Sequence, residues 1–252
     1  MIEIFKENKE RIITGFSLLG LAFLIGIIDN FFVMWVIFGG TYLLAFKEAM
    51  VLFDLDDERL FLFAGGIWLV AGIYPHGDAL FILAAISYAG AVAYKPELEY
   101  KNFLPFMYPT AGMLFILTMY QEYGVFSLLW LLGIVALSDV GAYIVGKSIG
   151  KTQFCETSPN KTLEGVFGGI IVATFGGMFL GLTLVDLGTA FLISLVVAVS
   201  AIFGDLFESA LKRKANVKDS GDILPGHGGI LDRVDGYLFG SVVMLVLLRS
   251  LV

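Results

Sequence analysis

Residues 125–146 read VFSLLWLLGIVALSDVGAYIVG, 22 residues with a single charge, Asp139, and no proline. About 20 apolar residues are what an α-helix needs to cross the hydrocarbon of a bilayer. A barrel strand would alternate apolar with polar side chains, and this run does not. A helix also satisfies its backbone internally, which lipid demands. Working outward, eight further apolar runs, punctuated by polar clusters, glycine or proline, fall at roughly 12–28, 31–46, 60–74, 79–94, 103–119, 166–183, 188–205 and 236–251. The sequence therefore predicts an all-α, polytopic integral membrane protein of about nine transmembrane helices. The pairs Gly65 and Gly66, Gly168 and Gly169, and Gly176 and Gly177 predict close helix packing in lipid.

Composition agrees. Of 252 residues, 58% are hydrophobic before the 30 glycines are counted, and only 15% are charged. Soluble domains carry about 25% charged residues, and a fold this small has too little interior to hide the difference from water. Disorder, which needs low hydrophobicity, is excluded too. The net charge of −7 gives no bulk positive field for nucleic acid. One cysteine, Cys155, allows neither an internal disulfide nor a multi-cysteine zinc site. Lys6, Lys9 and Arg11 precede the first apolar run as in a signal peptide, but no small-residue cleavage site closes it, so a retained first span is the better reading.

Nine spans place alternate connections on opposite sides, and basic residues test the arrangement. Lys6, Lys9 and Arg11, then Lys47 and Arg59, Lys95 and Lys101, Lys147, Lys151 and Lys161, and finally Lys212, Arg213, Lys214, Lys218 and Arg233 all fall on one side. The connections at 29–30, 75–78, 121–124 and around Asp186 carry none, leaving Arg249 alone opposite. The N-terminus is thus expected in the cytoplasm and the C-terminus outside. Residues 1–130 form an N-terminal transmembrane region holding spans one to five and the start of the sixth. Residues 131–252 are expected to form a C-terminal transmembrane region with two cytosolic loops, 147–165 and 206–235.

Those loops hold the suggestive chemistry. If the eighth span continues as a helix into the cytosol, Asp205, Glu208 and Lys212 share one face. Asp232 and Asp235 lie one helical turn apart. Several carboxylates together repel unless a cation joins them, and hard divalent ions such as Mg²⁺ prefer oxygen ligands. Lys212, Arg213, Lys218 and Arg233 supply charge for phosphates, and Gly228 and Gly229 let backbone N–H groups approach closely. Carboxylates, cations and a glycine turn together suit phosphoryl or nucleotidyl transfer; a juxtamembrane basic patch that holds anionic lipid is the alternative. His227 reads as a hydrogen-bonding member of the glycine turn rather than a zinc ligand, since no second His or Cys stands at ligand spacing. Asp139, inside a span, is a candidate functional group or a packing carboxylate. Ser158, Lys161 and Thr162 are candidate phosphate contacts. Intramembrane Asp139 and Asp205 also admit an ion path, but transport would spread polar residues through mid-depth, and here they gather at the cytosolic ends.

The run from Ser209 to Asp235, with SALKR, Lys218 and Asp219, and LPGHGGILDRVD, resembles the signature of the phosphatidate cytidylyltransferase (CDP-diacylglycerol synthase) family. Ser138, Asp139, Gly141, Ala142 and Tyr143, and the stretch around Ser158, Lys161, Thr162 and Glu164, resemble it as well. These motifs cover about residues 138–236; the first 130 residues match only in hydropathy. Asn160 stands where many relatives carry a basic residue.

The resemblance implies transfer of the cytidylyl group of CTP to phosphatidate, giving CDP-diacylglycerol and pyrophosphate, with Mg²⁺ and with or without a second cation. It makes Asp205 and Asp232, then Asp235, the expected metal ligands. The expected catalytic set also includes Ser209, Lys212, Arg213, Lys218, Asp219 and Arg233. Asp139, Ser158, Lys161, Thr162, His227, Gly228 and Gly229 are expected at the substrates. It further implies a homodimer in a bacterial-type cytoplasmic membrane with the active site facing the cytosol. A CTP-dependent kinase of a polyisoprenol-type lipid, or cytidylyl transfer to an ether-linked lipid phosphate, is the alternative activity.

Overall fold

The apolar run that opens the sequence reading lies within a single 25-residue helix in the computed structural model, which describes Gly20 and residues 26–95, 98–224 and 228–252. In chain order the helices are α1 (Phe31–Leu52), α2 (Glu58–Ala71), α3 (Gly77–Tyr94), α4 (Ala111–Tyr123), α5 (Val125–Ile149), α6 (Leu163–Gly181), α7 (Leu187–Lys214) and α8 (Leu231–Leu251). A short 3₁₀ turn (Tyr100–Phe103) and a π turn (Phe106–Thr110) lead into α4. The π turn breaks at Tyr108, beside Pro109, whose ring nitrogen cannot donate to a helix. Among the described residues there is no strand, only two isolated antiparallel bridges, Gln153 with Thr162 and Leu224 with Gly228.

Local chemistry starts several of these helices. Asn30 caps α1 by accepting from Val33 N, Thr162 caps α6 by accepting from Gly165 N, and Asp186 caps α7 by accepting from Gly188 N and Thr189 N. Helix α8 has no such local cap, because Ile230 precedes it.

Seven segments among the described residues are long and apolar enough to cross a membrane: α1, α3, Tyr100–Tyr123, α5, α6, α7 and α8. They match seven of the nine expected spans. The expected span at 60–74 is α2, which at 14 residues is shorter than a bilayer usually needs, yet it carries the chain from Asp54, beside Lys101, to Gly77, beside Thr118, and so to the other end of the bundle. The expected span at 12–28 lies outside the described residues apart from Gly20 and 26–28, as do Lys6, Lys9 and Arg11. The loop expected at 206–235 is helical at both ends, since α7 runs on to Lys214 and α8 begins at Leu231. Its Glu208–Lys212 pair at i, i+4 favours helix beyond the apolar stretch.

Helices α5 and α6 pack backbone to backbone. A Cβ on Gly169 would stand 2.6 Å from the Ser138 carbonyl, one on Gly165 2.8 Å from that of Ala142, and one on Gly177 2.6 Å from Ile134. Small residues at such crossings let helices associate in lipid, where no hydrophobic force separates inside from outside. At Gly65 and Gly66, expected to do the same, an added Cβ would meet nothing within 4 Å among the described residues. One hydrophobic core, including Tyr42, Phe46, Leu117, Trp130, Ile193 and Leu245, runs through both halves of the chain. Large apolar side chains such as Ile144, Phe167, Ile171 and Phe179 face outward, as a lipid-solvated surface requires.

The two ends of the helices differ. At one, Arg249 of α8 grips Asp78 of α3 at 2.7 Å and Glu122 of α4 at 2.5 Å. The other end holds the carboxylates and cations that the sequence singled out.

Candidate active site

At that second end a cavity of about 620 Å³ opens between α5, α6, α7, the start of α8 and the loops before α6 and α8. Six carboxylates line it: Asp139, Asp205, Glu208, Asp219, Asp232 and Asp235. Four cations, Lys147, Lys161, Lys212 and Arg233, share the wall, so the lining carries a formal excess of two negative charges.

Helical period explains who is there. Asp205, Glu208 and Lys212 point one way from α7, as the continued helix requires, while Arg213 turns 100° further and donates to the Val217 carbonyl at 3.3 Å outside the cavity. Lys212 Nζ binds Glu208 Oε2 at 2.9 Å and Asp232 Oδ1 at 2.5 Å, tying α7 to α8. Lys161, from the loop before α6, contacts Asp205. Burial pushes the Lys161 ammonium below the usual lysine range, and neighbouring Asp139 and Asp235 pull it back up. Ser209 donates to Asp205 Oδ1 at a long 3.4 Å. On α5, Asp139, Tyr143 and Lys147 form an exposed stripe at i, i+4 and i+8 that lines the cavity, with Lys147 Nζ 2.9 Å from the Tyr143 hydroxyl. The exposed apolar side chains of Val140 and Ile144 flank it.

Ser220 and Gly229 close on the second oxygen of Asp232. That oxygen accepts from Ser220 N at 2.8 Å, Ser220 Oγ at 2.9 Å and Gly229 N at 2.8 Å. Gly228 has φ +78, a left-handed conformation that favours glycine, and a Cβ there would stand 2.6 Å from Asp232 Oδ2. Gly228 and Gly229 therefore support the site through Asp232 rather than lining it.

The structure thus brings together Asp139, Lys161, Thr162, Asp205, Lys212, Asp219, Asp232, Arg233 and Asp235 around one cavity. It leaves Ser158, Ser209, Arg213 and Lys218 off the wall. Thr162 reaches it, but its hydroxyl is engaged as the cap of α6. His227 lies outside the described residues. Two side chains escape sequence reasoning: the spacing shows Glu208 only as a member of a face, and nothing in it points to Glu48 of α1. Glu48 is buried, and its carboxylate accepts from Ser220 Oγ, Ile230 N and Leu231 N at 2.9, 2.9 and 2.8 Å.

No three His, Cys, Asp or Glu side chains among the described residues converge on one point, because Lys161 and Lys212 stand between the carboxylates. The donor set nonetheless suits a hard divalent cation. Its carboxylates offer only oxygen, the excess charge of the whole lining is two, and Glu208 Oε1 is buried with no hydrogen-bond partner among the described residues.

Fold and site together define a helical membrane protein that carries a mixed carboxylate and cation cavity at one end of its spans. The chain belongs to the cytidylyltransferase family, whose profile matches residues 9–251. It is 43% identical over 252 residues to the phosphatidate cytidylyltransferase of Helicobacter pylori strain J99, covering 99% of this chain and 94% of that one. Similarity to the phosphatidate cytidylyltransferase of Bacillus subtilis strain 168 is 46% over 123 residues, 47% of this chain and 46% of the relative. That of Thermotoga maritima is 38% identical over 154 residues, 58% and 57% of the two chains.

Proposed function

We propose that this protein transfers the cytidylyl group of CTP to phosphatidate, releasing pyrophosphate and leaving CDP-diacylglycerol in the membrane. Beyond the family, one observation carries the reading: a cavity of four cations and six carboxylates at the ends of apolar helices, where a lipid phosphate and a water-borne nucleotide can meet.

The chemistry asks little of a general base, because the attacking phosphate oxygen of phosphatidate is already anionic. That oxygen forms a bond to the α-phosphorus of CTP as the bond to the bridging β-phosphate oxygen breaks, and pyrophosphate leaves with the electron pair. The obstacle is repulsion between two polyanions. Lys161, Lys212 and Arg233 hold phosphates in the cavity, and Lys147 sits on its lipid-flanked stripe, where an incoming headgroup passes. Fixed cations that need no reorganisation lower such a barrier most. Asp205, Asp232 and Asp235, with Glu208 beside them, would hold Mg²⁺, which when bound shields triphosphate charge and polarises the α-phosphate.

The same reading places the N-terminus and the cavity in the cytosol, the C-terminus outside, nine helices across a bacterial-type cytoplasmic membrane, and two copies in a homodimer. Fifteen of the sixteen basic residues falling on one side support the orientation; light scattering of the detergent complex tests the dimer.

The deciding experiment supplies purified protein in detergent with phosphatidate and CTP labelled in the base. Label enters the lipid, and pyrophosphate appears only when both substrates are present. Asp232→Asn, which keeps shape but removes charge, is expected to lose turnover while remaining folded. Base label staying in free CDP while the γ-phosphate enters a lipid alcohol would identify a kinase instead.

A further inference from the structure

The geometry points to Glu48 as a positioning residue that sets the orientation of Asp232 through Ser220, so that α1 forms part of the catalytic apparatus. The inference rests on the transfer reaction proposed above.

Helix α8 begins without a local cap, since Ile230 has no side-chain oxygen. Its first N–H groups need acceptors, and burial makes an unmet N–H costly. Glu48 meets them from the far side of the chain: Oε1 accepts from Ile230 N at 2.9 Å and Oε2 from Leu231 N at 2.8 Å. A carboxylate at this position also lies in the favourable field of the helix N-terminus.

Capping alone would make Glu48 structural. Ser220 changes that. Its hydroxyl lies 2.9 Å from Glu48 Oε2 and 2.9 Å from Asp232 Oδ2, yet it has one proton to donate. The two carboxylates therefore share that proton, and whatever Glu48 takes is withdrawn from Asp232. Asp232 Oδ2 is meanwhile committed to the loop, which leaves Oδ1 directed at Lys212 in the cavity. Moving Ser220 or the start of α8 thus re-aims the oxygen that faces the chemistry.

The loop is shaped to this carboxylate. A Cβ on Gly221 would stand 2.6 Å from Glu48 Oε1, and one on Gly229 would collide with both Glu48 Oε2 and Ser220 Oγ. These glycines sit where they do because Glu48 fills the space between them. An ionisable side chain near the end of a membrane helix, enclosed this completely, is costly unless it has a task.

The test uses the full chain in detergent, with Glu48→Gln, Ser220→Ala and the double variant. In Glu48→Gln an amide N–H₂ must face either Ile230 N or the pair Leu231 N and Ser220. Turnover per folded molecule is expected to fall about 10- to 100-fold, as for other groups that orient a ligand, with KM for CTP near that of wild type. The double variant is expected to lose no more than the worse single one, because both act on Asp232 along one path. Mn²⁺ binding without substrates, followed by electron paramagnetic resonance, should weaken in Glu48→Gln. Unchanged turnover, multiplying effects in the double variant, or equal Mn²⁺ affinity overturns the inference. Should Glu48→Gln not fold, Ser220→Ala alone decides, since it removes only the shared hydroxyl, and full turnover there is equally fatal. Failure of the wild type to label lipid would strike the proposed reaction instead, and the Mn²⁺ comparison would still stand.

Discussion

Lys212 joins two carboxylates that lie almost entirely out of solvent: the Glu208 side chain is 1% exposed, that of Asp232 5%, and Lys212 itself 12%. Lys212→Met keeps the length of the side chain and its packing along α7 while removing the ammonium. Glu208 and Asp232 then face each other with no cation between them. Removing one partner of a buried pair costs about 3–5 kcal/mol, mostly because a charge is left without compensation. At ~2–4 °C per kcal/mol for a chain of this size, the thermal midpoint in detergent should fall by roughly 6–20 °C. If stranded charge is the cause, Glu208→Gln added to Lys212→Met should recover most of that loss, because it removes one of the two facing charges. Activity should not return in the double variant, since the cation proposed to bind phosphate is still missing. Thermal unfolding followed by tryptophan fluorescence, paired with the lipid-labelling assay, reads both. A Lys212→Met midpoint equal to that of wild type, or a double variant no more stable than the single, would refute the reasoning.

Three other outcomes follow from the same geometry. Gly229→Ala drives a methyl group onto Ser220 and Glu48; a loss of about 1–3 kcal/mol from overpacking should come with a fall in turnover, both measured on the purified variant. Arg249→Ala unties α3, α4 and α8 at the end away from the cavity, and should cost roughly 1 kcal/mol, as partly exposed ion pairs do, while the turnover of the folded fraction stays at the wild-type level. A reporter fused after Val252 should lie outside the cytoplasm, and a cytoplasmic signal would overturn the nine-helix arrangement.

Much of this architecture is legible in the sequence because lipid simplifies the problem. Apolar length alone locates α5, α6, α7 and α8, and the grouping of Lys and Arg marks the end that carries the chemistry. The period of a helix then tells Lys212 from Arg213: one faces the cavity and the next turns away from it. Glu48 was beyond reach for a physical reason. Its partners lie 172 to 183 residues further along the chain, and no spacing rule spans a tertiary contact. A signal did exist in its complement, because a helix opening on Ile230 and Leu231 leaves N–H groups that something must accept. The sequence shows that need without showing which side chain meets it. Ser158 and Lys218 fall off the cavity wall, a placement that spacing does not show, since a loop cation or hydroxyl can serve phosphate or water alike until folding decides.

The stripe of Asp139, Tyr143 and Lys147 has one more consequence. The wall of the cavity borders the exposed apolar surface of α5 at Val140 and Ile144, so under the proposed reaction a diacyl substrate would enter sideways from the bilayer and its product would depart the same way. Encounter then becomes a two-dimensional search. The quantity that governs saturation is the fraction of surrounding lipid that is phosphatidate, and diluting the membrane with inert lipid slows the enzyme even when the amount of phosphatidate per litre is unchanged.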